Sequence, residues 1–534
     1  MATGNPLLKI QCTKFSLIRT ARIAGEKYTI ASLHTDSSCP IQYDRSGEEV
    51  NALTMRISFS NLAPGRHRMN PVGKGGSTMN KWTKNAYSVS GIAALTLLAG
   101  LLGGCAAKSG TPGGESVQPP ATADTVKKAP AIDTSPVTLK LFFTTGFDDK
   151  DIQSLIVEPV AKKHPNITVK VVKPGTGTTI QELVAAGDIP DIVFTWNGDL
   201  GLFKELGLLE DLTPLAGKIG LDLKKFDPTV LDAIRIVMDN QLSAIPFAVN
   251  FNATYYNKDI FDKFGVAYPK DGMFWDELIP LAEKLSRSEN GIRYRGLDPE
   301  NINRMSMPLS LTMLDPKTDK PVVSSDSWRS VFELAKRIWD IPNNKPDKLN
   351  GTGRTQFMND KNVAMLPVQN ILNLGLEAAE KNGLNWDMAQ YPSYKNKPNV
   401  YGHVDTHIFA VTKTSKYKDQ AMQLLGVITS DEVQRLSTRT TARLSSLKDM
   451  ELRKQLGADM AFLKGKHLEA VFKSTPAPAP AFSTLENSAR PLLHKGFEAY
   501  FNGTDVNTVI RDTEAEMNQL VSASRKKITS GIGR

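Results

Sequence analysis

The sequence predicts an α/β fold, and two observations carry that prediction. From Val137 onward, short runs rich in β-branched and aromatic residues alternate with stretches whose apolar residues recur at helical spacing. The composition, 40% apolar and 23% charged over 534 residues, belongs to a chain able to bury a sizeable core, which excludes global disorder and collagen. Strands alternating with helices imply a parallel sheet covered by helices.

The first predicted strand is Val-Thr-Leu-Lys-Leu-Phe-Phe over 137–143, ending in the polar turn 144–149. Ile152, Leu155, Ile156 and Val160 then fall on one helix face, and the helix stops near Pro165. A second strand is expected over 167–172, a second helix over 180–186 and a third strand over 191–194. Ligands of such sheets bind at the carboxyl ends of the strands. The loops 144–149, 174–179 and 195–200 are therefore the first places to expect contacts. Gly175-Thr-Gly-Thr-Thr179 matches neither GxxxxGK[ST] nor GxGxxG and reads as a plain strand-to-helix turn.

Ahead of this body lies a different kind of segment. No residue from Asn85 to Ala107 is charged, Lys81 and Lys84 precede the run, and 89–102 is its apolar centre. A basic start, a short apolar stretch and then small residues predict a secretory signal peptide over 79–104, too short to span a bilayer comfortably. It ends in Leu102-Gly-Gly-Cys105, which resembles the bacterial lipobox; the resemblance implies acylation of Cys105 and attachment to the membrane. Residues 105–136, rich in Pro, Gly, Ser, Thr and Ala, read as a flexible tether. Because a signal peptide belongs at a protein's start and Met79 opens this one, residues 1–78 are expected to be a non-native upstream extension. Lys74-Gly-Gly can be encoded by a purine-rich ribosome-binding run; the alternative is a genuine cytoplasmic extension. Of the formal charge of +9, +5 sits in residues 1–78 and +2 on Lys81 and Lys84, leaving +2 for the remainder, so the balance gives no reason to expect nucleic acid. Cys12, Cys39 and Cys105 form neither a disulfide framework nor a zinc motif.

Asp188-Ile-Pro-Asp191-Ile-Val-Phe-Thr-Trp196-Asn197-Gly198 followed by Gly207-Leu-Leu-Glu-Asp-Leu-Thr-Pro214 resembles a signature of family 1 extracellular solute-binding proteins, the ligand receptors of carbohydrate ABC importers. The segments 244–259, 264–266, 275–278, 359–366 and 430–434 agree in order, and the resemblance covers roughly 137–525. It implies a two-lobed periplasmic-binding-protein-like fold of type II, with the ligand cleft between lobes joined by hinge strands. Lobe one would be 137–247 plus 407–450 and lobe two 251–402 plus 451–525, with a tail over 526–534. Ala248-Val-Asn250 and His403-Val-Asp405-Thr406 would be the crossings. The implied partners are a saccharide, probed most naturally as an oligosaccharide, the permease subunits of an ABC importer and the membrane through Cys105. A monomer without a cofactor, on the outer face of a bacterial cell membrane, completes the expectation.

A sugar presents hydroxyls in its plane and C–H groups on its faces, so its site needs amides and carboxylates beside an aromatic platform. Trp196, Asn197 and Asp199 supply such a set after the third strand, although Trp196 could equally cap the sheet and Asn197 or Asp199 cap the next helix. Thr145 is the candidate from the first loop. Asn250 and Asn252 would share one face of a strand toward the cleft, with Phe251 facing away. Asp405 stands at the second crossing, and Gln369 and Asn370 where relatives often place an aromatic. Arg439, or Arg443, could pair with a uronic acid carboxylate. Tyr255-Tyr256 and His403 with His407 lack the company an iron or zinc site requires, and no nucleophile motif such as GxSxG is present. Two other readings compete: an enzyme acting on surface polysaccharide, and a receptor for a non-sugar solute or a sensor kinase.

Overall fold

The computed structural model describes residues 16–23 and 26–32 as backbone, and 132–144, 147–349 and 351–531, with side chains to 526. The expected signal peptide and Cys105 lie outside the described residues. In the amino-terminal unit, taken by itself, Ser16–Ile23 pairs antiparallel with Glu26–Ser32. No sustained alternation of apolar and polar residues marks these strands in the sequence.

The main body holds two sheets. The first contains β1 (Val137–Phe143), β2 (Ile167–Val172), β3 (Ile192–Trp196), β4 (Ile245–Val249), and, from far along the chain, Thr406–Val411 and Leu444–Ser445. The second contains β5 (Asn252–Asn257), β6 (Arg287–Glu289), β7 (Ile292–Leu297), β8 (Val363–Gln369) and β9 (Trp386–Gln390), in the order β9-β5-β8-β7-β6. A short parallel pair, β10 (Val400–His403) with Thr475–Ala477, lies beside them. We number the late strands β11 (Thr406–Val411), β12 (Leu444–Ser445) and β13 (Thr475–Ala477).

In the first sheet β1 runs parallel to both β2 and β3, as the strand–helix alternation predicts. The sheet as a whole is mixed, not parallel: β11 lies antiparallel between β3 and β4, with His407 opposite Trp196 and Ala248. A strand arriving from the other lobe enters with its own direction, and no local pattern around 137–196 specifies it. The helix over 149–163 buries Ile152, Leu155, Ile156 and Val160, its middle turn widened over Gln153–Val157. A capping box starts the next helix: the Thr179 hydroxyl accepts from the Glu182 N–H, and the Glu182 carboxylate accepts from the Thr179 N–H. Each sheet carries its own core, one centred on Leu141, Phe194, Phe247 and Phe409, the other on Trp275, Trp328, Trp339 and Trp386.

Two details differ from expectation at the edges of the body. Residues 132–136, placed in the tether, are tied to the helix Lys418–Ile428, whose Asp419 accepts from the Asp133 N–H while Gln423 donates to its carbonyl. The last helix, Val506–Gly531, continues past residue 525, where the tail was expected to begin.

Candidate ligand-binding site

Two of the links between the sheets lie side by side, and hydrogen bonds tie them together. Between β4 and β5 the link is Asn250-Phe251; between β10 and β11 it is Val404-Asp405. The Asn250 N–H donates to the Asp405 carbonyl at 2.8 Å, and the Asn250 side-chain amide donates to the Asp405 carboxylate at 3.1 Å. Asn197 reaches across from the end of β3, accepting from the Thr406 N–H at 2.9 Å and donating to the Val404 carbonyl at 3.3 Å. The crossings are thus held to each other and to the strand end that carries Trp196.

Beside them a cavity of about 280 Å³ opens, near the lower end of small-molecule sites. One wall is Trp196, only partly buried, with Phe482 at 6.3 Å between ring centroids and tilted by 58°. The indole folds back over Gly198, where a Cβ would come within 2.0 Å of the ring, so this position admits no side chain while the ring stays put. Asn250 and Asp405 line it from the crossings, and Gln369, Arg304, Met307 and Met313 from the second lobe. Glu486, Arg490 and His494 close the remaining side from one face of the helix Glu486–Phe501, one turn apart from each other. A second cavity, of about 200 Å³, shares Asn250, Gln369 and His407 with the first and adds Asn370, Asn373, Arg354 and Arg443.

Burial dominates the electrostatics. It pushes the carboxyl of Asp199 up and that of Glu486 up to about 7, although Glu486 accepts the Met313 and Leu314 N–H groups at 2.7 and 3.3 Å. It pulls His403, His407 and His494 down to about 4, so all three are neutral at pH 7. Burial also works against the charge of Arg304, but Glu300, at 3.1 Å, and Asp405 raise its pKa on balance. With neutral imidazoles, amides, two cations and few exposed anions beside an aromatic corner, this cavity can stack a flat apolar face and hydrogen-bond a ring of hydroxyls.

Of the expected site residues, Trp196, Asn250, Gln369 and Asp405 line the first cavity, and Asn370 the second. Gln369 accepts from Arg304 at 3.1 Å, while Asn370 donates to the Ala442 carbonyl at 2.8 Å. Thr145 lies outside the described residues. Asn197, Asp199, Asn252 and Arg439 line neither cavity. Asn197 is buried and spends its side chain on the crossing, and Asp199 is half-buried, accepting from Thr195 and Asn487 at 2.6 and 3.0 Å; neither caps a helix through its side chain. Asn252 is buried and donates to the Tyr401 carbonyl at 2.7 Å, because Asn250 and Phe251 lie outside the strand and the two-residue period does not extend back through them. Arg439 sits at the surface, paired with Asp459, and Arg443 pairs with Asp151 at 2.6 Å and stacks over Phe147.

The sequence reading missed Arg304, Phe482, Glu486, Arg490 and His494. A usable signal existed for the last three: ionisable residues at i, i+4 and i+8 on a helix whose other faces, with Ala489, Leu493 and Phe497, are buried apolar surface.

The model of the bacterial extracellular solute-binding protein family matches residues 148–435. An ABC transporter extracellular-binding protein of Pyrococcus horikoshii is 30% identical over 164 residues, covering 29% of this chain and 36% of that protein, so the chain spans little more than a third of this relative's length. In fold the chain is similar to an ABC substrate-binding protein of Listeria monocytogenes in complex with cycloalternan, with a TM-score of 0.61 at 20% identity over 73% of this chain and 100% of that one. It is also similar to the sugar-binding protein MalE of Xanthomonas citri, with a TM-score of 0.58 at 17% identity over 74% and 99% of the two chains. With that family model spanning more than half of its length and two lobes meeting at a shared cavity, the chain belongs to the bacterial extracellular solute-binding proteins.

Proposed function

We propose that this protein captures a saccharide, an oligosaccharide in its working setting, between its two lobes and delivers it to the permease of an ABC importer. The observation that carries this reading is the cavity at the crossings, where the tilted Trp196–Phe482 pair shares the lining with the polar side chains of Asn250, Gln369 and Asp405. An aromatic face buries the C–H side of a pyranose, and in-plane amides take its hydroxyls. The second cavity, whose lining shares Asn250, Gln369 and His407 with the first, gives a further sugar unit somewhere to lie. The reading includes anchoring on the outer face of the cell membrane through acylated Cys105, supported by the lipobox-like Leu-Gly-Gly-Cys at the end of an apolar run.

A thermal-shift screen against mono- and oligosaccharides tests it, because a ligand that binds only the native state must raise the melting temperature. At least one saccharide is expected to raise it, and Trp196→Ala to abolish that shift while leaving the melting temperature of the free protein within a few degrees. If saccharides fail and peptides or metal ions produce the shift, the reading is lost. The appearance of reducing ends on incubation with a polysaccharide would put an enzyme in its place.

A further inference from the structure

Within the reading of the cleft as a saccharide site, on which this inference rests, the charges lining it narrow the class of ligand. Arg295, Arg304, Arg354, Arg443 and Arg453 are all drawn into the body of the protein, and each meets a carboxylate at 2.6 to 3.1 Å. Arg490 lines the first cavity and, among the described residues, has no carboxylate within ion-pair distance. Its Nη2 donates to the amide oxygen of Asn487 at 3.0 Å, and its Nε–H is buried without an acceptor.

Glu486, Asp199 and Asp405 favour the Arg490 charge only from beyond ion-pair distance, and burial together with the Arg304 charge outweighs them. Glu486, one turn before Arg490, turns its carboxylate to the Met313 and Leu314 N–H groups. Asp199 is engaged by Thr195 and Asn487, and Asp405 by Asn250. Arg304 lines the same cavity and its charge opposes that of Arg490, and His403 and His494 are neutral. A guanidinium held in a partly desolvated wall without a counter-ion is costly, and the cost disappears when a ligand brings the anion. A planar carboxylate is the anion that a guanidinium holds best.

We propose that the cleft takes an acidic saccharide, one bearing a uronic acid carboxylate, and that Arg490 holds that carboxylate.

The test is calorimetric titration of the full chain with di- and trisaccharides of galacturonate and of glucuronate, each beside the neutral saccharide that has CH2OH in place of the carboxylate. A charge-assisted pair in a desolvated site predicts that an acidic member binds about tenfold or more tightly than its neutral parent. That preference is expected to weaken with added salt, to collapse in Arg490→Gln and to survive in part in Arg490→Lys. The free Arg490→Gln protein is expected to melt no lower than the parent, since the substitution removes an uncompensated charge; a purely structural arginine would lose stability instead. Equal or tighter binding of the neutral parents, or an acidic preference unchanged in Arg490→Gln, overturns the inference and leaves the saccharide reading standing. Failure of every acidic and neutral saccharide overturns both.

Discussion

At the scale of single residues, the site depends on one position with no side chain. Trp196 ends β3 and would ordinarily continue the alternation of the sheet, but its indole instead lies across the Gly198 backbone. Gly198 has an ordinary backbone conformation that any residue could adopt, so what selects glycine there is the 2.0 Å approach of the ring to a would-be Cβ. In Gly198→Ala the ring must swing away, and because Trp196 is only partly buried the fold can accommodate the move. The stability change is expected to stay within about 1 kcal/mol, while saccharide affinity falls roughly tenfold through loss of a stacking contact and its buried area. Calorimetric titration of the variant beside Trp196→Ala checks this: an affinity equal to that of the parent would mean that the ring's present position is not the one the ligand uses.

At the scale of elements, the helix Glu486–Phe501 carries two of the buried groups through which the protein responds to pH, Glu486 and His494. Glu486 has a folded-state pKa raised to about 7, so the stability it contributes is present at low pH and is lost as pH rises from the ordinary carboxylate range through 7. His403, His407 and His494 have folded-state values lowered to about 4, so the stability tied to their neutral forms is present above pH 6.5 and is lost as pH falls toward 4. The three imidazoles act one way and Glu486, with the raised Asp199, the other, and the melting temperature is expected to fall between pH 6.5 and 4. Glu486→Gln removes one of the opposing contributions and makes that acid-side fall steeper. A melting curve against pH for the two proteins checks the sign, and a shallower slope in the variant would contradict the assignment of Glu486 as the raised acid.

The same helix shows what a sequence can and cannot reveal. The strands and helices of 137–196 were legible because each is specified by its own local period, and Trp196, Asn250 and Asp405 were legible because strand ends and crossings are where such folds hold ligands. The mixed direction of the first sheet was not, since β11 owes its place to a chain returning from the other lobe. Nor was the role of Arg490 and Phe482, whose segment meets the Trp196 loop only through folding; Asn487 bonds to Asp199 across 288 positions of chain.

At the scale of the whole molecule, the two links decide what occupancy does. Each sheet has its own core, and the lobes communicate through Asn250-Phe251, Val404-Asp405 and the passage near Ala442, where Asn370 of one lobe bonds the chain leading into β12 of the other. A few residues at such links can absorb a rotation of one rigid lobe against the other. A ligand touching Trp196 on one side and Arg304 or Met307 on the other gains its full set of contacts only when both walls close on it, so binding must favour the closed arrangement by the difference in contact energy. Two measurements on the same preparation should then move together. Saturating saccharide at 100 times its Kd is expected to stabilise the fold by about 2.7 kcal/mol, and the radius of gyration from small-angle scattering is expected to fall on ligand addition. Removing the second lobe's contacts by Arg304→Ala together with Met307→Ala should weaken both responses. A full thermal shift with an unchanged radius of gyration would show that the ligand is held by one lobe alone, and would leave the importer no change of shape by which to tell a loaded receptor from an empty one.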